Sequence, residues 1–196
     1  ASPDCPLCCS LDHFSHRVLT CAAMADAITA AHDTIWSDLF GLITAHLPAD
    51  WKSWKDKVIN TTGIPCYDLA HLKPDGVLLH EPSKVIYVLE LKRASDFFPD
   101  SFERGFLRKY IKYQPLLEAL EAANPGWDVQ LTVFCLGDRG LLEEERWLDN
   151  WSILGLPASG FSPFATTAAR LAQTVATTIL ECYTAALRAL HTAPSS

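Results

Sequence analysis

Two runs of this chain carry an acid at the margin of an apolar stretch. Lys73-Pro74-Asp75 leads into Gly76-Val77-Leu78-Leu79, and Val85-Ile86-Tyr87-Val88-Leu89 leads into Glu90-Leu91-Lys92. Both runs are rich in β-branched and apolar residues, with Glu81-Pro82-Ser83-Lys84 between them, so they predict a β-hairpin. Strand side chains alternate, which puts Ile86, Val88, Glu90 and Lys92 on one face. A turn centred on Pro82-Ser83 sets Asp75 opposite Glu90, Val77 opposite Val88 and Leu79 opposite Ile86. A longer loop or a bulge would shift that register by one. Directly opposed side chains have Cβ atoms roughly 5 Å apart. Two carboxylates so placed repel unless a cation sits between them, and a divalent metal with oxygen ligands is the natural candidate.

A second group of chemically able residues stands at the N-terminus. Cys5 and Cys8 are followed by His16 and Cys21. Three thiolates and one imidazole at these spacings suit a closed, tetrahedral structural zinc site. Cys9 and His13 compete for the middle positions. The two-residue gap favours Cys8, and the four-residue gap before Cys21 favours His16. The total of seven cysteines is odd, and three crowd into positions 5, 8 and 9. That usage fits metal binding in a reducing compartment better than a disulfide framework.

Pro74-Asp75 followed by Glu90-Leu91-Lys92 resembles the PD-(D/E)xK signature of restriction-enzyme-like nucleases. Lys73-Pro74-Asp75, fourteen residues and then Glu90 more closely resemble the restriction-enzyme-like endonuclease domain of site-specific non-LTR retrotransposons. Three further segments are similar to that family: the Cys-Cys-His-Cys knuckle, His32-Asp33 on the first helix, and Lys109 with Lys112-Tyr113 on the helix after the acids. Two departures stand out. Ala31 occupies the place of an arginine, and Lys92 stands where the family often has threonine. The resemblance covers residues 5 to about 136. It implies that Asp75, Glu90 and the Leu91 backbone carbonyl hold Mg²⁺ or Mn²⁺, with Asp33 as a possible additional ligand. It also implies catalytic roles for Lys92, Lys109, Lys112 and Tyr113. His32, Lys73, Lys109 and Lys112 would lie along the DNA, to which Lys52 and Lys55, in a basic and aromatic cluster with Trp51 and Trp54, add a local patch.

The elements that would position these groups follow in order. Residues 22–47 predict a helix, with Ile28, Ile35, Leu39, Leu42 and Ile43 at helical spacing and Pro48 as its stop. Tyr67 to Leu72 predict a strand that runs into the hairpin. A loop at Asp96–Ser101 opens a helix in which Phe102, Phe106, Lys109 and Tyr113 share a stripe and which fades at Asn124-Pro125-Gly126. Trp127 to Leu136 alternate as a strand, and Gly137-Asp138-Arg139-Gly140 reads as a turn at its end. Leu141 to Trp151 predict a short acidic helix, and Phe164 to Leu190 a long terminal one. Thr192 to Ser196 read as a frayed tail. Helix, three strands, helix, strand and helices predict an α/β PD-(D/E)xK restriction-endonuclease-like core. Its central mixed sheet is flanked by helices, and a small N-terminal zinc knuckle precedes it.

The division expected is a knuckle at 1–21 and an endonuclease domain at 22–196. The 196 residues have a globular composition, at 49% hydrophobic and 20% charged, and a net charge of -7. That charge argues against a strong, free-standing nucleic-acid binder. No apolar run is long enough to span a membrane. The single methionine, Met24, and the absence of a secretory signal suggest a piece of a longer intracellular chain. The function expected is a metal-dependent endonuclease that nicks double-stranded target DNA in the nucleus for target-primed reverse transcription. Its partners would be the reverse transcriptase and DNA-binding modules of the same polyprotein. Two alternatives remain: a non-catalytic DNA-binding module on the nuclease fold, and a free-standing repair or junction-resolving nuclease.

Overall fold

The computed structural model describes residues 4–98 and 100–192. Eight main elements run in the order α1 (Ala25–Ala45), β1 (Lys52–Lys55), β2 (Gly76–His80), β3 (Val85–Ala94), α2 (Ser101–Ala123), β4 (Asp128–Gly137), α3 (Glu144–Ile153) and α4 (Ala158–Thr192). The strands form one mixed sheet in the order β1-β2-β3-β4. β1, β2 and β3 are antiparallel neighbours, and β4 pairs parallel to β3. A parallel pair needs a crossover, and α2 supplies it.

The pleat divides the core in two. Val77, Leu79, Ile86 and Val88 pack against Tyr113, Leu116 and Leu120 of α2. On the other face, Leu78, Leu89, Leu91 and Phe134 meet Ile35 and Leu39 of α1 and a set of large aromatics, Trp147, Trp151 and Phe164. Ile35, Leu39, Leu78 and Leu89 are completely buried, and each such side chain contributes about 1.5–3 kcal/mol of apolar burial. α4 keeps a buried stripe from Phe164 through Ala168, Leu171, Val175 and Ile179 to Tyr183, the spacing that lets one helix line the whole core. The sheet flanked by helices is the architecture expected.

The hairpin register is the one expected. Val77 pairs with Val88 and Leu79 with Ile86. The loop is four residues long, Glu81 to Lys84, with Lys84 in the left-handed region at φ 54°. Because it closes symmetrically about Pro82-Ser83 on the His80–Val85 pair, the register survives. The strand expected at Tyr67–Leu72 is absent. That segment turns at Leu69 (φ 56°) and pairs only briefly, Ala70 and Leu72 accepting hydrogen bonds from the N–H groups of Asn60 and Ile59. β1 takes the place beside β2, so Lys52, Ser53, Trp54 and Lys55 become an edge strand. Residues 1–3 of the knuckle, Pro99 of the loop before α2, and 193–196 of the tail lie outside the described residues; Thr192 closes α4.

Candidate active site

Asp75 stands just before β2, and its backbone is clamped from α1. The indole N–H of Trp36 donates to the Asp75 carbonyl at 2.6 Å, and the Asp56 N–H donates to the same oxygen at 3.0 Å. Gly76 permits that clamp. A Cβ there would lie 2.7 Å from Phe40 Cε2 and 3.0 Å from Trp36 Cζ2, so no side chain fits between the strand and the α1 aromatics. Across the hairpin, Glu90 Oε1 accepts the Asp75 N–H at 3.1 Å, and Asp75 Oδ2 accepts the Leu91 N–H at 2.8 Å. The two acids are thus tied to each other's backbones.

The cation between them is an ammonium group. Lys109 of α2 bonds Glu90 Oε2 and lies 3.7 Å from Asp75 Oδ2. From α1, His32 Nε2 lies 3.3 Å from the Leu91 carbonyl oxygen and 3.5 Å from Asp75 Oδ2. Glu90 is completely buried. Burial, and then the charge of Asp75, hold its pKa above the usual carboxylate value against the pull of Lys109. Burial also acts to raise Asp75, but the hydrogen bond from His32 and the charge of Lys109 outweigh it and hold Asp75 below its ordinary value. His32 is shifted the other way: burial opposes, and Asp75 raises it. The two acids are therefore shifted in opposite directions, Glu90 upward and Asp75 downward.

The remaining residues singled out in the sequence fall in different places. Tyr113 is buried under the sheet, its hydroxyl 3.4 Å from the Lys73 carbonyl oxygen and its pKa pushed up by burial and by Glu90. Lys112 donates to that hydroxyl at 2.8 Å and lies over the ring, and the structure gives it no contact with the acids. Lys92 shares the face of Glu90, but its stem runs under Gly105 of α2, where a Cβ would meet Lys92 Cγ at 3.1 Å. Burial, then the charges of Lys109 and Arg108, lower its pKa. Asp33 is exposed and touches His32 Nδ1 at 3.3 Å, so it lies behind the histidine, not beside Asp75. Lys73 lies 3.8 Å from Asp56, Lys52 pairs with Glu81, and Lys55 donates to Ser37.

Beside the acids opens a cleft of about 470 Å³ to which His32, Leu91 and Lys109 contribute. Its cationic lining is Lys92, Arg93, Arg104, Arg108 and Lys109, with no carboxylate among the lining residues. Sequence reasoning passed over Arg93, Arg104 and Arg108. The signal was present for two of them: Arg104, Arg108 and Lys112 recur every fourth residue along α2. Arg93, hidden in an apolar run, offered none.

The Cys/His cluster belongs to the segment whose His13, Ser15, Leu19 and Thr20 line this cleft. Cys5, Cys8, His16 and Cys21 offer ligand atoms all within 4.8 Å of one another. The Cys5–Cys21 and Cys8–Cys21 sulfur separations are 3.9 and 3.8 Å, and Cys8 Sγ lies 3.2 Å from His16 Nε2. A tetrahedral zinc with bonds of about 2.3 Å to sulfur needs edges of about 3.8 Å, so the residues fit zinc. Thr20 Oγ1 lies 3.3 Å from His16 Nδ1 and orients the ring. Hydrogen bonds from Ser10 lower the Cys8 thiol to about 7. Cys9 is exposed and stands outside the cluster, while His13 lines the cleft. The knuckle packs into the main core: Cys5, Val18 and Cys21 join the α1 and α4 cluster, and Cys5 Sγ lies 3.2 Å from the Tyr183 hydroxyl.

No family model matches the chain, and no curated protein matches it. Among solved structures it is similar to a phenuiviridae cap-snatching endonuclease, at 16% identity over 76% of this chain and 67% of that chain, with a TM-score of 0.46. It is also similar to an N-terminal domain of a reptarenavirus L protein, at 16% identity over 85% of this chain and 82% of that one, with a TM-score of 0.41.

Proposed function

We propose that this chain is a divalent-metal-dependent DNA endonuclease. The observation that carries this reading is the convergence of Asp75, Glu90 and the Leu91 carbonyl with Lys109 and His32 at the mouth of a cleft lined by cations. Two acids locked by reciprocal backbone hydrogen bonds, 0% and 16% exposed, form a rigid, hard-oxygen donor set. Asp75, Glu90 and the Leu91 carbonyl would hold Mg²⁺ or Mn²⁺, which when bound supplies an activated water and offsets charge on the phosphoryl oxygens. The side chains of the protein do the rest. His32 fixes Asp75 in its ionised form. Lys109, held between the acids, stabilises negative charge that develops on the phosphate. Tyr113 stays protonated and is a donor, not a base.

The finer reading is that this endonuclease nicks double-stranded target DNA in the nucleus and supplies the primer for reverse transcription. It would act together with the reverse transcriptase and DNA-binding modules of the same polyprotein. What supports it is the sequence resemblance: the Lys73-Pro74-Asp75 spacing to Glu90, and the Cys-Cys-His-Cys knuckle ahead of it. The test is nicking of supercoiled plasmid with added Mg²⁺ or Mn²⁺. Wild-type protein should cut and Asp75→Ala should not; equal nicking by the two would overturn the assignment.

A further inference from the structure

Phe97 and Phe98, in the loop between β3 and α2, are 74% and 41% exposed. The loop that presents them is nevertheless held at several points. The Phe97 N–H donates to Ser95 Oγ at 3.2 Å, and Ser95 Oγ lies 2.6 Å from Ser15 Oγ of the knuckle. On either side of the first ring, Asp96 Oδ2 accepts the Arg139 N–H at 2.8 Å, and the Phe98 carbonyl accepts the Ser101 N–H at 3.0 Å. The two rings meet edge to face with centroids 5.4 Å apart, and Phe98 meets His13 in the same way at 6.0 Å. His13 is fixed in turn, its Nδ1 accepting the His16 N–H at 3.1 Å. A backbone pinned in this way while two neighbouring apolar rings stay in water marks a surface that serves contact with a partner, not packing. Phe98 and His13 line the cleft beside the acids. Lys92, Arg104, Arg108 and Lys109 line it too, with no carboxylate among the described lining residues. Arg104 and Arg108 are exposed. The cleft volume, about 470 Å³, suits a ligand of nucleotide size and is too small to take in a duplex. Cations that hold phosphates beside aromatic faces that hold bases make up a single-strand binding groove. In a duplex the faces of a base are covered by its neighbours, so a base must leave the stack before it can lie on a side chain.

We propose that Phe97 and Phe98 are a stacking platform for an unpaired base, and that the substrate class of the cleft is DNA that is single-stranded or locally opened beside the scissile phosphate. The proposal rests on the nuclease reading in one respect: the occupant is the strand whose scissile phosphate lies at Asp75 and Glu90. Arg104 and Arg108 hold the backbone of that strand, and the rings hold a base that has left its stack. Every base has a π-face, so the platform selects for unpaired structure and not for sequence.

The experiment reads binding, not cleavage. A fluorescein-labelled DNA single strand and the fully paired duplex of the same sequence are titrated by anisotropy with the full chain at one salt concentration. No divalent metal and no chelator are added, so that the knuckle keeps its zinc. The wild type should bind the single strand more tightly than the duplex. Phe98→Leu keeps apolar bulk and removes the ring. It should weaken single-strand binding about fivefold to tenfold, the usual effect of losing one base–aromatic stack, and duplex binding by less than about twofold. Phe98→Tyr, which keeps the ring, should bind like the wild type. Phe97→Leu, at the more exposed position, leaves the fold intact and should show the same selective loss. If folded Phe98→Leu binds the single strand like the wild type, the proposal is overturned. If Phe98→Leu fails to fold, Phe97→Leu decides: selective loss upholds the platform, and unchanged binding overturns it. Equal loss on both probes overturns it as well, because the rings then act through the fold. A wild type that binds neither probe also overturns it and leaves the rings to a protein partner. A wild type that binds as expected but never cuts with Mg²⁺ or Mn²⁺ overturns the nuclease reading alone. Variants that bind both probes normally while the wild type cuts overturn the platform alone.

Discussion

Asp75 shows how far a register can be read and where it stops. Pairing about Pro82-Ser83 placed two acids together, with repulsion expected between them unless a cation intervened. The structure supplies a cation and hydrogen-bond donors there. Asp75 accepts the Leu91 N–H and lies beside both His32 and Lys109. Asp75→Ala should therefore destabilise the metal-free protein by about 1–3 kcal/mol, the cost of leaving buried donors unsatisfied. Urea denaturation without added divalent metal measures it, and an increase in stability would refute the geometry. The pair also sets a pH dependence. The raised His32 contributes stability that is present below its unfolded value of 6.5 and lost as pH rises through the higher folded value. The lowered Asp75 contributes stability present above 3.8 and lost as pH falls through its lower folded value. The stability difference between wild type and His32→Gln should therefore be greatest between pH 3.8 and 6.5 and shrink as pH rises beyond that window. The identity of the lysine at the acids was not legible. The pleat puts Lys92 on the face of Glu90, but only the packing of Gly105 against its stem shows that Lys92 continues into the cleft and leaves Glu90 to Lys109.

At the scale of elements, helices were legible because an apolar stripe at period 3.6 depends on local sequence alone. α1 and α4 follow from it, and the Pro48 stop lies just beyond the observed end of α1. The edge strand was not, because Lys52-Ser53-Trp54-Lys55 has no apolar alternation; its pairing is decided by β2 and by Trp51, which stacks on His80 at 4.7 Å and on Tyr87 at 5.9 Å. The knuckle was legible as a ligand set but not as a wall. Ser15 Oγ lies 2.6 Å from Ser95 Oγ, and His13, Ser15, Leu19 and Thr20 all line the cleft. A structural zinc contributes folding free energy directly, so its loss should reach beyond the knuckle. One zinc per chain should copurify. Cys21→Ser should lower both Tm and oligonucleotide affinity, while the β2–β3 amides keep their protection from hydrogen exchange. Metal analysis without zinc, or unchanged affinity in that variant, would separate the knuckle from the site. The junction of α1 with β2 is equally specific. Gly76→Ala would force Phe40 and Trp36 aside, at a cost of about 1–3 kcal/mol for overpacking, and would displace Asp75 along with them.

For the whole molecule, net charge is a poor guide because the charges are sorted. The chain carries -7, and that total, with the cluster at Lys52 and Lys55, led to an expectation of weak binding through scattered patches. In the fold, Lys52 pairs with Glu81 on an exposed surface and Lys55 sits at the far edge of the sheet on Ser37, and neither is among the residues that line the cleft. The cations that face a common space come from β3 and α2, and among the described residues no carboxylate lines the cleft. Sorting of this kind is invisible to composition, since it depends on which face of α2 turns toward β3. The measurable consequence is in the salt dependence. Each phosphate neutralised contributes a slope of about -0.9 to log K against log salt for duplex DNA. Among the described residues Arg104 pairs with Asp100, one turn away on an exposed surface at 3.0 Å, so its charge remains available to a phosphate. Arg104→Ala should therefore reduce the magnitude of the slope by about one and weaken binding uniformly across sequences. The double variant Lys52→Ala/Lys55→Ala should leave the slope within experimental error of the wild type. Titrations of duplex DNA between low and physiological salt distinguish the two surfaces. If the β1 lysines carry the slope and Arg104 does not, the strand crosses the edge of the sheet and not the cleft beside Glu90.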